Sequence, residues 1–234
     1  LPHAPGQRPG WMIRAGLFLY DYLGTRQTLP RSERFCLANH PAGKVLNPAF
    51  KSAFAYSDCQ VDDSRLVIAN VLTARGNGAN ILTRHRMEQA ESRNGRWHIT
   101  LCRVENGDLV KLTARALVNA SGTAVETVLN AATTPRNKTR VRMVKGSHIV
   151  VPRVFEGSEA FLLQNPDGRV IFVIPFERHF SMIGTTDIPV ETAENGWAIS
   201  AAETSYLCES VNRYFQSQIS PDDVTWSFSG VRSL

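Results

Sequence analysis

The chain has 234 residues, 43% of them hydrophobic and 20% charged, with a net charge of +5 and a pI near 9.2. A chain of this length buries roughly 70% of its unfolded surface, so the composition is that of a globular protein and excludes disordered and collagen-like chains. The mildly basic balance fits a nucleic-acid partner, an anionic membrane surface or a phosphorylated substrate, and selects none of them. No window approaches the roughly 20 apolar residues of a membrane-spanning helix. The four cysteines, Cys36, Cys59, Cys102 and Cys208, are scattered without a C-x-x-C pair. That excludes a disulfide framework and a zinc site and is consistent with reduced thiols.

No signal peptide is visible and the first residue is Leu1, so the chain reads as an excised or processed piece. Trp11–Leu23 is apolar nearly all round and closed by Gly24, which predicts a buried helix. A polar stretch with Pro and Gly follows to about Pro48. A second helix is expected from Asp62 or Asp63, through Leu66, Val67 and Val71, to about Arg75, broken by Gly76-Asn77-Gly78. Three extended runs, 81–91, 96–103 and 109–115, are then separated by Asn94-Gly95 and Asn106-Gly107. Asn-Gly between extended runs predicts hairpins, hence a three-stranded antiparallel meander. Ala116–Asn119 reads as a short strand entering Ala120-Ser121-Gly122, with a helix expected over 124–131.

The last third reads as strands over 142–152, 160–164, 170–175 and 181–185, with a turn at Asn165-Pro166-Asp167-Gly168. Ser200 and Glu203 form an S-x-x-E capping box, and Leu207, Val211, Tyr214 and Phe215 form an apolar stripe, predicting a helix over 200–219 stopped before Pro221. An extended run resumes at 224–230.

Few groups stand out as chemical. Ala120-Ser121-Gly122, between a strand and a helix start, can let backbone approach an anion closely, or can be an ordinary connecting turn. No complete G-x-G-x-x-G occurs. Arg136, Lys138, Arg140, Arg142 and Lys145 form a basic run that can attract a phosphate or simply be solvated. His148 has the side chain best suited to moving a proton near neutral pH, yet a regular strand puts it on the face opposite Lys145 unless Gly146 forms a bulge. Thr185 lies in Gly184-Thr185-Thr186-Asp187, where hydroxyls either orient a polyol or end a strand. Arg232 has the planar fork that grips phosphate or carboxylate.

Taken together, WMIRAGLFLYDYLG (11–24), YSDCQVDDSRLVIAN (56–70), LVNASG (117–122), KGSHIVVPR (145–153), FVIPFE (172–177), IGTTD (183–187) and SGVR (229–232) resemble the flavin-dependent respiratory glycerol-3-phosphate dehydrogenases. The resemblance implies an α+β fold: an antiparallel-sheet substrate cap with helices, joined to part of an α/β FAD-binding domain. It implies a helical segment at 1–75, a partial FAD-binding domain at 76–135 and the cap at 136–234. By the same resemblance, Ala120, Ser121 and Gly122 contact FAD, Arg232 and Thr185 bind substrate, and His148 is a substrate-side group near the hydroxyls; Lys145 is read as a further substrate ligand and His148 as the catalytic base. The implied reaction is oxidation of glycerol 3-phosphate with electrons passed to quinone, in a cytoplasmic homodimer held peripherally on an anionic membrane. No metal and no nucleic acid are expected. The family's glycine-rich diphosphate loop has no counterpart in this chain, so the chain alone is expected to be colourless and inactive. A related amino-acid or 2-hydroxyacid oxidase, and a non-catalytic basic binding module, are the alternative readings.

Overall fold

The computed structural model describes residues 1–3, 7–23, 28–132, 141–192 and 198–234. Gly24, Arg136, Lys138 and Arg140 lie outside the described residues. The chain divides into two compact units, Leu1–Asp58 with Met143–Arg232, and Cys59–Arg142 with Ser233–Leu234. All strand pairings with a described register are antiparallel, and the described residues include four α-helices, so the class is α+β.

The first unit is built on one large sheet. Its strands are β7 (Met143–Pro152), β8 (Phe161–Gln164), β9 (Val170–Phe176), β10 (Phe180–Gly184), β11 (Ile188–Val190) and β12 (Trp226–Ser233). Their order is β11-β7-β10-β9-β8, and β12 also pairs with β7. The expected Asn165–Gly168 turn joins β8 to β9: Gly168 N donates to Asn165 O at 3.0 Å and Gly168 takes φ +85°. One face of the sheet packs on helix α4 (Ala201–Tyr214), with Ile149, Val151, Leu163, Ile171, Val173 and Ile183 meeting Leu207 and Val211, all fully buried. Burial of each such side chain stabilises by about 1.5–3 kcal/mol, which makes this the core.

The capping box forms as expected: Glu203 N donates to Ser200 Oγ at 3.2 Å, and Ser200 N donates to Glu203 Oε2 at 2.9 Å. The helix is shorter than its expected 200–219. It stops at Tyr214 because Phe215 turns extended (φ −99°, ψ 152°) and inserts its ring beside Phe155 and Phe161. Gln218 Nε2 then donates to the carbonyls of Asn212 and Phe215, and Asn212 brackets Ile219 through both its side-chain atoms, so the polar groups freed at the helix end have partners.

A small sheet of β1 (Pro2–His3), β2 (Glu33–Cys36) and β3 (Ser52–Ala55) is ordered β1-β3-β2, and its strand β2 falls in the polar stretch that runs to about Pro48. Helix α1 (Gly10–Tyr22) corrects the expectation of a buried helix. Asp21 is its one buried residue, and Trp11, Phe18, Leu19 and Leu23 are exposed. The reason lies on its inward side, which is polar: Ser32 N and Oγ donate to Asp21, and Arg14 Nη1 donates to Ser32 O and Oγ at 3.0 Å.

In the second unit, α2 (Asp63–Gly76) starts where expected, with Arg65 N donating to Asp62 Oδ1 at 3.1 Å. The meander is β4 (His85–Arg93), β5 (Arg96–Arg103) and β6 (Leu109–Ala114), in the order β4-β5-β6. Asn94 (φ 51°) and Gly95 (φ 70°) make the first turn left-handed at both central positions. The short strand expected at 116–119 does not form a ladder: no described strand pairs with it, and Val118 is exposed. Helix α3 (Val125–Ala132) follows the turn.

Candidate active site

Strand β7 divides the site residues between two faces. Lys145 and His148 lie on opposite faces of it, as strand alternation requires, and Gly146 does not bring them together. Lys145 pairs with Ile188 and His148 with Gly184, so the two residues of β7 between them, 146 and 147, face three, 185–187. The extra residue therefore lies in the Thr185–Asp187 segment. This lets Thr186 turn inward, fully buried, while Thr185 stays on the other side; a Cβ added at Gly146 would lie 2.4 Å from Thr185 Oγ1.

The outer face carries His148, Thr185 and Arg232. Phe228 of β12 stacks on His148, ring centroids 4.8 Å apart and 6° from parallel, with Trp226 beside Phe228. Gly184, from the strand on the other side of β7, backs the same ring: a Cβ there would come within 2.1 Å of His148 Cδ2. Along β12, alternation puts Trp226, Phe228, Gly230 and Arg232 on this face, and all four are exposed. Arg232 Nη2 donates to Asp187 Oδ1 at 3.3 Å, with the side chains 53% and 43% exposed. Such a pair contributes at most about 1 kcal/mol and leaves the guanidinium available.

Burial lowers the His148 pKa below the ordinary imidazole value, which favours the neutral ring. Its Nδ1 is buried and has no hydrogen-bond partner among the described residues, which leaves Nε2 as the nitrogen available for chemistry.

The inner face carries Lys145, which points away from His148. Its Nζ donates to Glu203 Oε2 at 2.7 Å and to Ala198 O at 2.9 Å. Glu203, 5% exposed, also accepts from Ser200 Oγ at 2.8 Å on Oε2, and from Ser147 Oγ and Thr186 Oγ1, each at 2.8 Å, on Oε1. Burial pushes the Glu203 pKa up, but the bonds from Lys145, Ser200 and Ser147 outweigh it and hold the carboxyl at about 2. The Ser147 hydroxyl proton goes to the carboxylate, so in its 2.8 Å contact with Ser229 Oγ it is Ser229 that donates. In the sequence Glu203 shows itself only as a capping residue. The signal for more was Lys145 and Ser147 at i and i+2, two polar side chains on an inward strand face that need a buried acceptor.

In the second unit, Ala120, Ser121 and Gly122 form an exposed turn. Asn119 Oδ1 accepts from Ser121 Oγ at 2.6 Å and Asn119 Nδ2 donates to Val125 O at 2.8 Å, tying the turn to α3. Gly122 takes φ +58° with open space where a Cβ would be, so its backbone can be approached closely. The turn thus fits contact with an anionic cofactor group. Among the described residues no cluster of His, Cys, Asp and Glu could hold a metal, and no helix is long and apolar enough to cross a membrane.

An antiparallel sheet with a histidine and an arginine on one face, and a small-residue turn before a helix, suit a cofactor-dependent oxidoreductase. The family profile described as FAD dependent oxidoreductase matches residues 1–234, and the chain belongs to that family. More particularly, it is 44% identical over its whole length to a glycerol-3-phosphate dehydrogenase of Pseudomonas aeruginosa, covering 45% of that protein. It is 43% identical, again over its whole length, to the D-erythritol 1-phosphate dehydrogenase of Brucella abortus, covering 47% of it. The chain thus spans about half the length of these curated relatives. Among solved structures, the glycerol-3-phosphate dehydrogenase of Bacillus halodurans complexed with FAD has the same fold over 88% of this chain and 44% of its own, with a TM-score of 0.67 at 22% identity.

Proposed function

We propose that this chain carries the substrate-binding part of an enzyme that oxidises the C2 alcohol of glycerol 3-phosphate to dihydroxyacetone phosphate and passes the electrons to quinone. The observation that carries the reading is the shared outer face of His148, Thr185 and Arg232 on one sheet, beside relatives that act on polyol phosphates. In this reading 136–234 is the cap, of which Met143–Arg232 forms one compact unit with Leu1–Asp58, and the meander with its following turn belongs to the cofactor-binding domain. FAD, held in part by the backbone of Ala120, Ser121 and Gly122, supplies the acceptor for the hydride that leaves C2.

The residues of this chain bind, orient and take the proton. Arg232 grips the phosphate through two guanidinium donors, and that remote binding energy positions C2. Thr185 orients a hydroxyl. Neutral His148 takes the C2 hydroxyl proton on Nε2, as its lowered pKa allows at pH 7. Lys145, expected as a substrate ligand, is assigned instead to the support of β7, because its ammonium is spent on Glu203 and Ala198. A peripheral position on an anionic membrane, which brings the enzyme to quinone, and a homodimer complete the proposal.

The second reading, oxidation of a longer polyol phosphate, is favoured by the Brucella relative. Steady-state turnover by the full-length flavoprotein tests both. Glycerol 3-phosphate should give the highest kcat/KM, above erythritol 1-phosphate and far above glycerol, amino acids or 2-hydroxy acids. A preference for erythritol 1-phosphate selects the second reading, and a preference for a carboxylate substrate refutes both.

A further inference from the structure

The proposed substrate face has an ion pair directly behind it. A capping box needs only one Glu203 oxygen. Here the carboxylate is buried and all five of its bonds are made: three donors on Oε2 and two on Oε1. A buried ion pair is a poor source of stability, since an apolar pair of similar volume often serves as well. What five donors on two oxygens supply is direction, because each partner's position is then over-determined.

The partners fall where the substrate face needs them. Ser147 precedes His148 on β7, Thr186 follows Thr185, and Ser229 on β12 follows Phe228, which stacks on His148. Ser147 is held four ways: its N donates to Thr186 Oγ1 at 2.9 Å, its O accepts from Thr186 N at 3.3 Å, and its Oγ joins Glu203 and Ser229. In a strand, inward and outward side chains alternate on one backbone, so fixing the inward residue fixes its outward neighbour.

We propose that Glu203 is a positioning residue for the substrate face, setting through Ser147, Thr186 and Ser229 the three segments that carry His148, Thr185 and Phe228–Arg232. Glu203 touches no substrate. The proposal rests on the reading of the outer face as the substrate site, and its test separates the two.

The test uses the full-length flavoprotein with Ser147→Ala and with the double variant Lys145→Met, Glu203→Gln, which leaves no stranded ammonium. Three quantities are read: the melting temperature, kcat and KM for glycerol 3-phosphate, and the titration of the His148 imidazole by NMR in histidine-labelled protein, assigned with His148→Gln. Ser147→Ala should lower kcat about tenfold and the double variant more, with KM changing less than about threefold. The His148 pKa should rise toward its ordinary value as the ring loosens and gains solvent. Folded variants with wild-type kcat and an unmoved imidazole titration would overturn the proposal and leave Glu203 a structural cap. Should the double variant not fold, Ser147→Ala, which keeps the ion pair, decides on the same readouts. A wild type inert toward glycerol 3-phosphate refutes the substrate reading alone. The imidazole titration then decides the positioning role by itself, an unmoved resonance overturning it.

Discussion

Gly184→Ala is the sharpest single test of how His148 is held. The ring lies between two neighbours of β7: Phe228, stacked at 4.8 Å, and Gly184, paired with His148 across the ladder. An alanine methyl at 184 would sit 2.1 Å from Cδ2, 2.6 Å from Cγ and 2.7 Å from Nε2. Ordinary carbon contacts start near 3.5 Å, so the ring must move by about 1.4 Å. Phe228 closes the direction of retreat, and one of the two rings has to leave its place. Overpacking of this kind costs about 1–3 kcal/mol of stability. A displacement of about 1 Å at a reacting group costs about 100-fold in rate, or about 2.7 kcal/mol of transition-state stabilisation. The assay is kcat/KM for glycerol 3-phosphate with a dye acceptor in the full-length protein, at matched flavin content, beside a urea midpoint. A variant that keeps wild-type kcat/KM refutes either the pinning of His148 by Gly184 or the use of His148 in the reaction.

The Glu203 carboxyl, held at about 2 against an ordinary 4.5, gives stability that is complete above about pH 4.5 and lost as pH falls toward 2. This is about 3 kcal/mol, read as a fall in urea midpoint over that window that the Lys145→Met, Glu203→Gln double variant no longer shows. Ser200→Ala removes the α4 cap and should cost about 1 kcal/mol, seen as a lower urea midpoint at unchanged slope. Arg232→Ala should lower kcat/KM for glycerol 3-phosphate by about 2–4 kcal/mol with flavin content unchanged, and Arg232→Lys should recover only part of it; near-normal kinetics would make Arg232 a surface residue.

What could be read from the sequence follows the range of the forces involved. The meander and its Asn94-Gly95 turn, the Asn165–Gly168 turn and the capping box at Ser200 were legible because local backbone chemistry decides them. The end of α4 was not, because Phe215 leaves the helix for a tertiary reason, its place beside Phe155 and Phe161. The strand expected at 116–119 needed a partner that local sequence cannot supply. The hydrophobicity of α1 was plain, but the polar side of that helix was the one turned inward, toward Ser32. Opposite faces for Lys145 and His148 followed from strand alternation. The acceptor waiting for Lys145 lies 58 positions away and was invisible until the chain was folded.

The pairing of β12 with β7 also bears on how the protein is made. Thr225 donates to Val150 O across 75 residues of chain, whereas β4, β5 and β6 pair with immediate neighbours. Local hairpins close in microseconds, while pairings of distant segments wait for the entropy of long loops to be overcome. During synthesis at about 5–20 residues per second, the meander can therefore be complete while β7 still lacks one neighbour. Over that interval His148 has no Phe228 to stack on and Ser147 no Ser229. The face that carries His148 is a late event in folding, and β7 spends seconds as an open edge that a chaperone or a second nascent chain can reach.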